Sequence, residues 1–254
     1  MLDMAGGNEE REEAMKFKSA FIQSDPAASF HGKNAAQRQW NPYSFEMGSI
    51  AGICGDDFVV VGSDTRLSRD QFAILTRDQT KFHLLTDKVA FGGCYFHGDH
   101  LQLVRLLKAR MKQYYFDYRE EMTAETLAEL LSRTLYYRRF FPYYQSTLVA
   151  GLNAKGEGVL YSYDPVGTIE KLPYSCSGSA ESMIIPFLDN QVGWVTQEDK
   201  ASAPAMTVTR AISLIRDAFR AVTEREVCTG DKLHLILIQK DKKPQEEWIT
   251  LRED

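Results

Sequence analysis

His97-Gly98-Asp99-His100 packs two imidazoles and a carboxylate into four residues, and two histidines with an acid are the beginning of a metal site. No further ligand cluster joins them. An aspartate just ahead of Leu101, Val104, Leu107 and Met111 fits a helix N-cap, with His100 solvated in the first turn, so capping is the chemistry expected here. Asp64-Thr65-Arg66 closes an apolar run and has the look of a buried acid at a strand end. Arg138-Arg139-Phe140-Phe141-Pro142-Tyr143-Tyr144 sets two arginines among four aromatics. Such a segment either feeds the core as a strand entry or contacts a partner, because Arg, Tyr and Phe are enriched at interfaces. Cys54, Cys94, Cys176 and Cys228 lie too far apart in sequence for a zinc knuckle or redox pair and read as free thiols.

These groups need elements to hold them. Ser49 to Cys54 and Phe58 to Asp64 read as strands around Gly55-Asp56-Asp57. Lys81 to Leu85 and Val89 to Tyr95 follow as a second pair around Thr86-Asp87-Lys88. A helix through Leu101 and Met111 comes next, then another capped by Thr123, with Leu127, Leu130, Leu131 and Leu135 on its apolar side. Strands resume at Ser146 to Leu152, Gly158 to Tyr163 and Thr168 to Leu172. Ser179 to Leu188 reads as a helix despite Pro186, and Val208, Ala211, Ile215, Phe219 and Val222 mark an amphipathic one. Lys232 to Gln239 and Trp248 to Arg252 finish the chain. Helices arriving in pairs between groups of strands do not build alternating crossovers. The simplest arrangement that buries all these faces is an α+β fold of two stacked sheets between helix pairs.

The chain has 254 residues, 44% hydrophobic and 26% charged, which suits a well-filled globular core. A formal charge of -5 argues against a nucleic-acid partner, which needs concentrated positive charge. No apolar run is long enough to span a membrane. Residues 1–47 mix charges and small residues without a sustained period and read as an extension or propeptide-like segment, with the patterned domain over residues 48–254. Glu9, Glu10, Glu12 and Glu13 speak against a mitochondrial presequence.

The hairpin Phe45 to Arg66, Phe96-His97-Gly98-Asp99, Tyr161-Ser162-Tyr163-Asp164-Pro165-Val166-Gly167, Ser177-Gly178-Ser179, Leu188-Asp189-Asn190-Gln191-Val192-Gly193 and Thr229-Gly230-Asp231 occur in an order that resembles the proteasome beta-subunit family. The resemblance implies the four-layer αββα sandwich of N-terminal-nucleophile hydrolases. Catalytic members of that family use a threonine freed by self-cleavage after a glycine. Its hydroxyl needs a base, the free α-amino group serves, a lysine held by an aspartate assists, and a backbone N–H receives the oxyanion.

Carried over residue by residue, Asp64 matches the aspartate and Lys81 the lysine. The nucleophile's position, sixteen residues before Asp64, holds Gly48. Tyr95 falls where a glycine should present its N–H to the oxyanion. Ser177 and Ser179 match a supporting serine pair, Glu226 replaces an aspartate and Thr229 a serine. The expectation is a vestigial site in which Asp64 and Lys81 remain as a buried ion pair. The rival is a peptidase that cleaves after Gly48 and uses Ser49; Ser49 is one residue out of place, and such a slip turns a strand side chain to the opposite face. The resemblance further implies a non-catalytic subunit in stacked heptameric rings of alpha and beta subunits. It would be found in cytoplasm and nucleus, would serve ubiquitin-dependent and other intracellular protein degradation, and would need no metal or organic cofactor.

Overall fold

Two apolar runs interrupted by Gly55-Asp56-Asp57 make the first hairpin. β2 (Ser49–Cys54) and β3 (Phe58–Asp64) pair antiparallel, and the Gly55 N–H donates to Phe58 O at 2.9 Å across the turn. The computed structural model describes residues 46–69, 71–194, 197 and 203–252. Every residue of β3 is buried, so this strand has no solvent face and must be central and covered on both sides.

Its neighbours bear that out. β3 lies between β2 and β12 (Lys232–Gln239), and β11 (Tyr174–Gly178) and β13 (Gln245–Thr250) complete an antiparallel sheet in the order β11-β2-β3-β12-β13. A second antiparallel sheet runs β10-β9-β8-β7-β6, from β6 (Phe82–Thr86), β7 (Val89–Tyr95), β8 (Gln145–Leu152), β9 (Gly158–Tyr163) and β10 (Ile169–Lys171). A small third sheet joins β1 (Glu46–Met47), β4 (Leu67–Arg69) and β5 (Ala73–Thr76). Four α-helices are described: α1 (His97–Tyr118), α2 (Ala124–Tyr137), α3 (Glu181–Leu188) and α4 (Val208–Thr223).

The period of two along each strand divides the core. Val59 and Val61 meet Leu148, Ala150 and Ile236 from the other strands in one apolar cluster. Phe58 and Val60 instead join Ile184, Leu188, Ile215 and Phe219 from α3 and α4. Val89, Phe91 and Val149 join Leu103, Leu107, Leu127 and Leu131 from α1 and α2. Each such fully buried side chain contributes roughly 1.5–3 kcal/mol. Gly62 sets the closeness of α4, since a Cβ there would lie 2.7 Å from Ile215 Cγ2.

Several expectations need correction. The serine-, cysteine- and glycine-containing β11 and the short β1, β4 and β5 were not anticipated; β13 starts at Gln245 rather than Trp248. Thr123 caps α2 as expected, its Oγ1 accepting the Thr126 N–H at 3.2 Å. Asp99 is not the cap of α1. The helix begins at His97, Phe96 makes no side-chain cap, and Asp99 accepts the Tyr144 N–H at 2.8 Å instead. His100 is buried rather than solvated, stacked on Phe91 and His83. Pro186 sits inside α3, which gives way to a π-helical turn (Asp189–Gly193). Of the expected extension, residues 1–45 lie outside the described residues; Glu46 and Met47 form β1, paired with Arg69 and Ser68 of β4.

Candidate functional site

β3 ends at Asp64 and the chain returns to place Lys81 immediately ahead of β6. Asp64 is fully buried and Lys81 nearly so. The Lys81 ammonium donates to Asp64 Oδ1 at 2.9 Å, to Asp64 O at 2.7 Å and to Arg66 O at 2.7 Å. An ammonium has three N–H donors, so none is left for another group. The Asp64 carboxylate also accepts the Ser49 N–H at 2.7 Å and the Gly230 N–H at 3.3 Å. Burial raises the Asp64 carboxyl above the usual carboxylate range, and Lys81 and the two amides offset only part of that rise.

Gly48 fills the remaining space by having no side chain. Its φ is +153°, and a Cβ built on it would overlap Lys81 Cε and stand 2.5 Å from Lys81 Nζ. A side chain at this position would therefore require the far end of Lys81 to shift. The Gly48 carbonyl accepts the Ser179 N–H at 3.2 Å.

Ser49 points its hydroxyl to a different group of partners. Ser49 Oγ lies 2.9 Å from Thr229 Oγ1 and 3.4 Å from Ser179 Oγ, and it accepts the Ala180 N–H at 2.9 Å. The residue is fully buried. In the uncut chain its nitrogen is an amide that donates to Asp64; only cleavage after Gly48 would make it an amine able to act as a base.

The other residues expected to gather here separate. Ser179 and Thr229 join Ser49, but Ser177 pairs with Ser146 Oγ at 2.5 Å. Glu226 turns its carboxylate to the Cys228 N–H at 3.0 Å, a bond within its own turn. Tyr95 keeps a left-handed backbone, φ +84°, that glycine adopts without strain and other residues adopt at a cost of roughly 1–3 kcal/mol. Its ring tilts against Tyr144 at 5.7 Å and lines a cleft of about 620 Å³ with Ser146, Tyr163, Ser177 and Glu181. Burial raises the Tyr95 phenol, so it stays protonated.

Sequence reasoning missed the strongest charged contact beside this cluster. Arg66 Nε reaches Asp231 Oδ2 at 2.9 Å, and Arg77 reaches Oδ1 at 2.6 Å. Burial alone would raise the Asp231 carboxyl; the two guanidinium groups outweigh it and hold it below the usual carboxylate range. The strings Asp64-Thr65-Arg66 and Thr229-Gly230-Asp231 contain both partners, but nothing in their spacing pairs residues so far apart in sequence.

Arg138 to Tyr144 divides in two. Tyr143 belongs to the core under Arg138, whose guanidinium lies 5.5 Å over its ring, and Tyr144 is half-buried against Tyr95. Phe140 is 90% exposed and Phe141 50%; Arg139 stands over Tyr136 and Phe140 at 5.7 and 5.6 Å. Among the described residues no group of three or more His, Cys, Asp or Glu side chains is placed to hold a metal. No described helix is long and apolar enough to cross a membrane.

Residues 46–238 match the family model described as Proteasome subunit. The chain is 47% identical to Proteasome subunit beta type-1 of Caenorhabditis elegans over 98% of this chain and 97% of that one. It is 38% identical to Proteasome subunit beta type-1 of Danio rerio, covering 92% of this chain and 98% of the relative. For the subunit of the same description from Arabidopsis thaliana the identity is 35%, over 85% and 97%.

Proposed function

This chain belongs to the proteasome subunit family, as a beta type-1 subunit of the 20S core particle, and from that premise we propose that its part in protein degradation is architectural, not catalytic. One observation carries the reading: the position of the nucleophile is a glycine whose missing side chain is replaced by the stem of Lys81. The saturation of all three Lys81 donors supports it, as does the commitment of the Ser49 hydroxyl to Thr229, Ser179 and Ala180. Gly48, Ser49, Asp64, Lys81, Tyr95, Ser177, Ser179, Glu226 and Thr229 are then the remains of a reactive site. Asp64 and Lys81 survive because an unpaired buried charge is costly.

The fold is the four-layer αββα sandwich of N-terminal-nucleophile hydrolases. The three apolar clusters support this, two of them joining helices to strands and one joining strands alone. Family membership implies assembly with other proteasome subunits. The subunit takes its place in a seven-membered beta ring, at its sixth position, stacked on an alpha ring and facing a second beta ring, in cytoplasm and nucleus. Distinct neighbours on each side call for heterologous interfaces, and the exposed Arg138, Arg139, Phe140 and Phe141 form one of them. Residues preceding the domain act as an extension to it.

The rival is an active peptidase that uses Ser49. Treating purified particles with an electrophile directed at N-terminal hydroxyl nucleophiles, then mapping adducts by mass spectrometry, separates the two. Labelled catalytic subunits with an unlabelled chain here is the expected result. An adduct on Ser49 overturns the architectural reading.

A further inference from the structure

α1 is the longest described helix, and its own sequence supplies no cap: Phe96 offers no side-chain acceptor, and Asp99 is committed to the Tyr144 N–H. The first N–H groups of a helix have no partner within it. One of them, the His97 N–H, donates instead to Glu46 Oε2 at 2.7 Å. Glu46 is distant in sequence and stands in β1, held to Arg69 of β4. Its side chain is buried, and a buried carboxylate is stabilised by hydrogen bonds to its oxygens. The N-terminal end of a helix offers such bonds through its free N–H groups, and its dipole favours the charge.

The same two-residue strand comes close to Lys81. Glu46 and Met47, with Leu67, Lys81, His97 and His100, line a partly open recess whose room is only about 10 Å³. That is about the space of one water molecule. β1 therefore shares this recess with the Lys81 side chain.

We propose that Glu46 is the N-cap of α1, supplied from outside the helix, and that β1 is a strap which fastens the helix start beside Lys81. A cut between Gly48 and Ser49 would free cap and strap together. Glu46 is a positioning residue: it acts on the first turn of α1, not on any substrate. The strap stands independently of whether Ser49 reacts.

Hydrogen exchange on assembled particles, followed in peptides spanning residues 96–101, tests this. Glu46→Ala should speed exchange at the start of α1 about tenfold, the usual effect of losing a cap. The first turn of α2, capped by its own Thr123, should not change. Glu46→Gln, which keeps an acceptor oxygen, should fall between wild type and Glu46→Ala. Unchanged exchange in Glu46→Ala overturns the proposal. So does equal loosening of α1 and α2, or a Gln variant no better protected than the Ala one. An adduct on Ser49 would defeat the architectural reading while leaving this test intact, and unchanged exchange would defeat the strap while leaving that reading intact.

Discussion

The Asp64–Lys81 cluster and the Arg139–Phe140 surface both concentrate charge, yet they have opposite surroundings. Lys81 is 3% exposed and meets three acceptors within 2.9 Å, one of them a carboxylate. Arg139 lies over two aromatic rings at the surface, beside a phenylalanine that is 90% exposed. A buried charge whose partners are all internal is part of the framework, because removing any partner strands the others. An exposed cation among exposed aromatics leaves its contacts incomplete within the chain, and such groups gain most when a partner excludes water from them. Asp64 and Lys81 are therefore satisfied inside the chain, whereas Arg139 and Phe140 face solvent.

The largest effect should come from breaking the buried cluster. Lys81→Met leaves Asp64 uncompensated and should cost roughly 3–5 kcal/mol, read as a shift of the denaturation midpoint or as loss of the subunit from particles. Normal stability and incorporation would refute the ion-pair account. Next is Gly48→Thr, which would put at this position the nucleophile type expected of the family's catalytic members. The overlap with Lys81 and the positive φ should destabilise by roughly 2–4 kcal/mol, with no peptidase activity gained by this subunit. Active-site labelling of the variant would reverse the comparison.

A smaller effect should follow pH. Burial holds His100 down at about 3 and His83 at about 4, against an ordinary 6.5. The unfolded chain therefore takes up protons that the folded one refuses, so the stability present above pH 6.5 is lost as pH falls from there toward 4 and 3. Asp231, held low by Arg66 and Arg77, adds a loss of the same sign in the acid carboxylate range. Thermal midpoints measured across this window should fall on acidification, and His100→Gln should flatten the upper part of the curve. Smallest in stability is Phe140→Ala, within about 0.5 kcal/mol for the chain itself, because little of that ring is buried. Its incorporation into particles should drop nonetheless. Equal incorporation of Phe140→Ala and wild type would remove this surface from the interfaces.

Much of the fold was legible because its strands are fully buried apolar runs with clear turns: β2, β3, β7, β9 and β12 have the expected bounds. β11 was not, since Tyr174-Ser175-Cys176-Ser177-Gly178 has little apolar signal and becomes a strand by pairing with β2. The start of α1 was misplaced because its cap comes from Glu46, and local sequence shows only caps that are local. In the site, the family motifs pointed to Gly48, Asp64 and Lys81, which the structure places side by side. They did not show that Ser177 leaves the cluster for Ser146, or that Glu226 serves its own turn.

By itself the sequence determined which groups exist: an acid, a lysine, and a glycine followed by a serine. Only the tertiary structure decided what the remaining groups do. The bonds of Lys81 to Asp64 and Arg66, the Ser49 hydroxyl's turn toward Thr229, and the cap from Glu46 all join residues far apart in sequence. Such contacts exist only after sheets and helices have packed, and no local pattern records them.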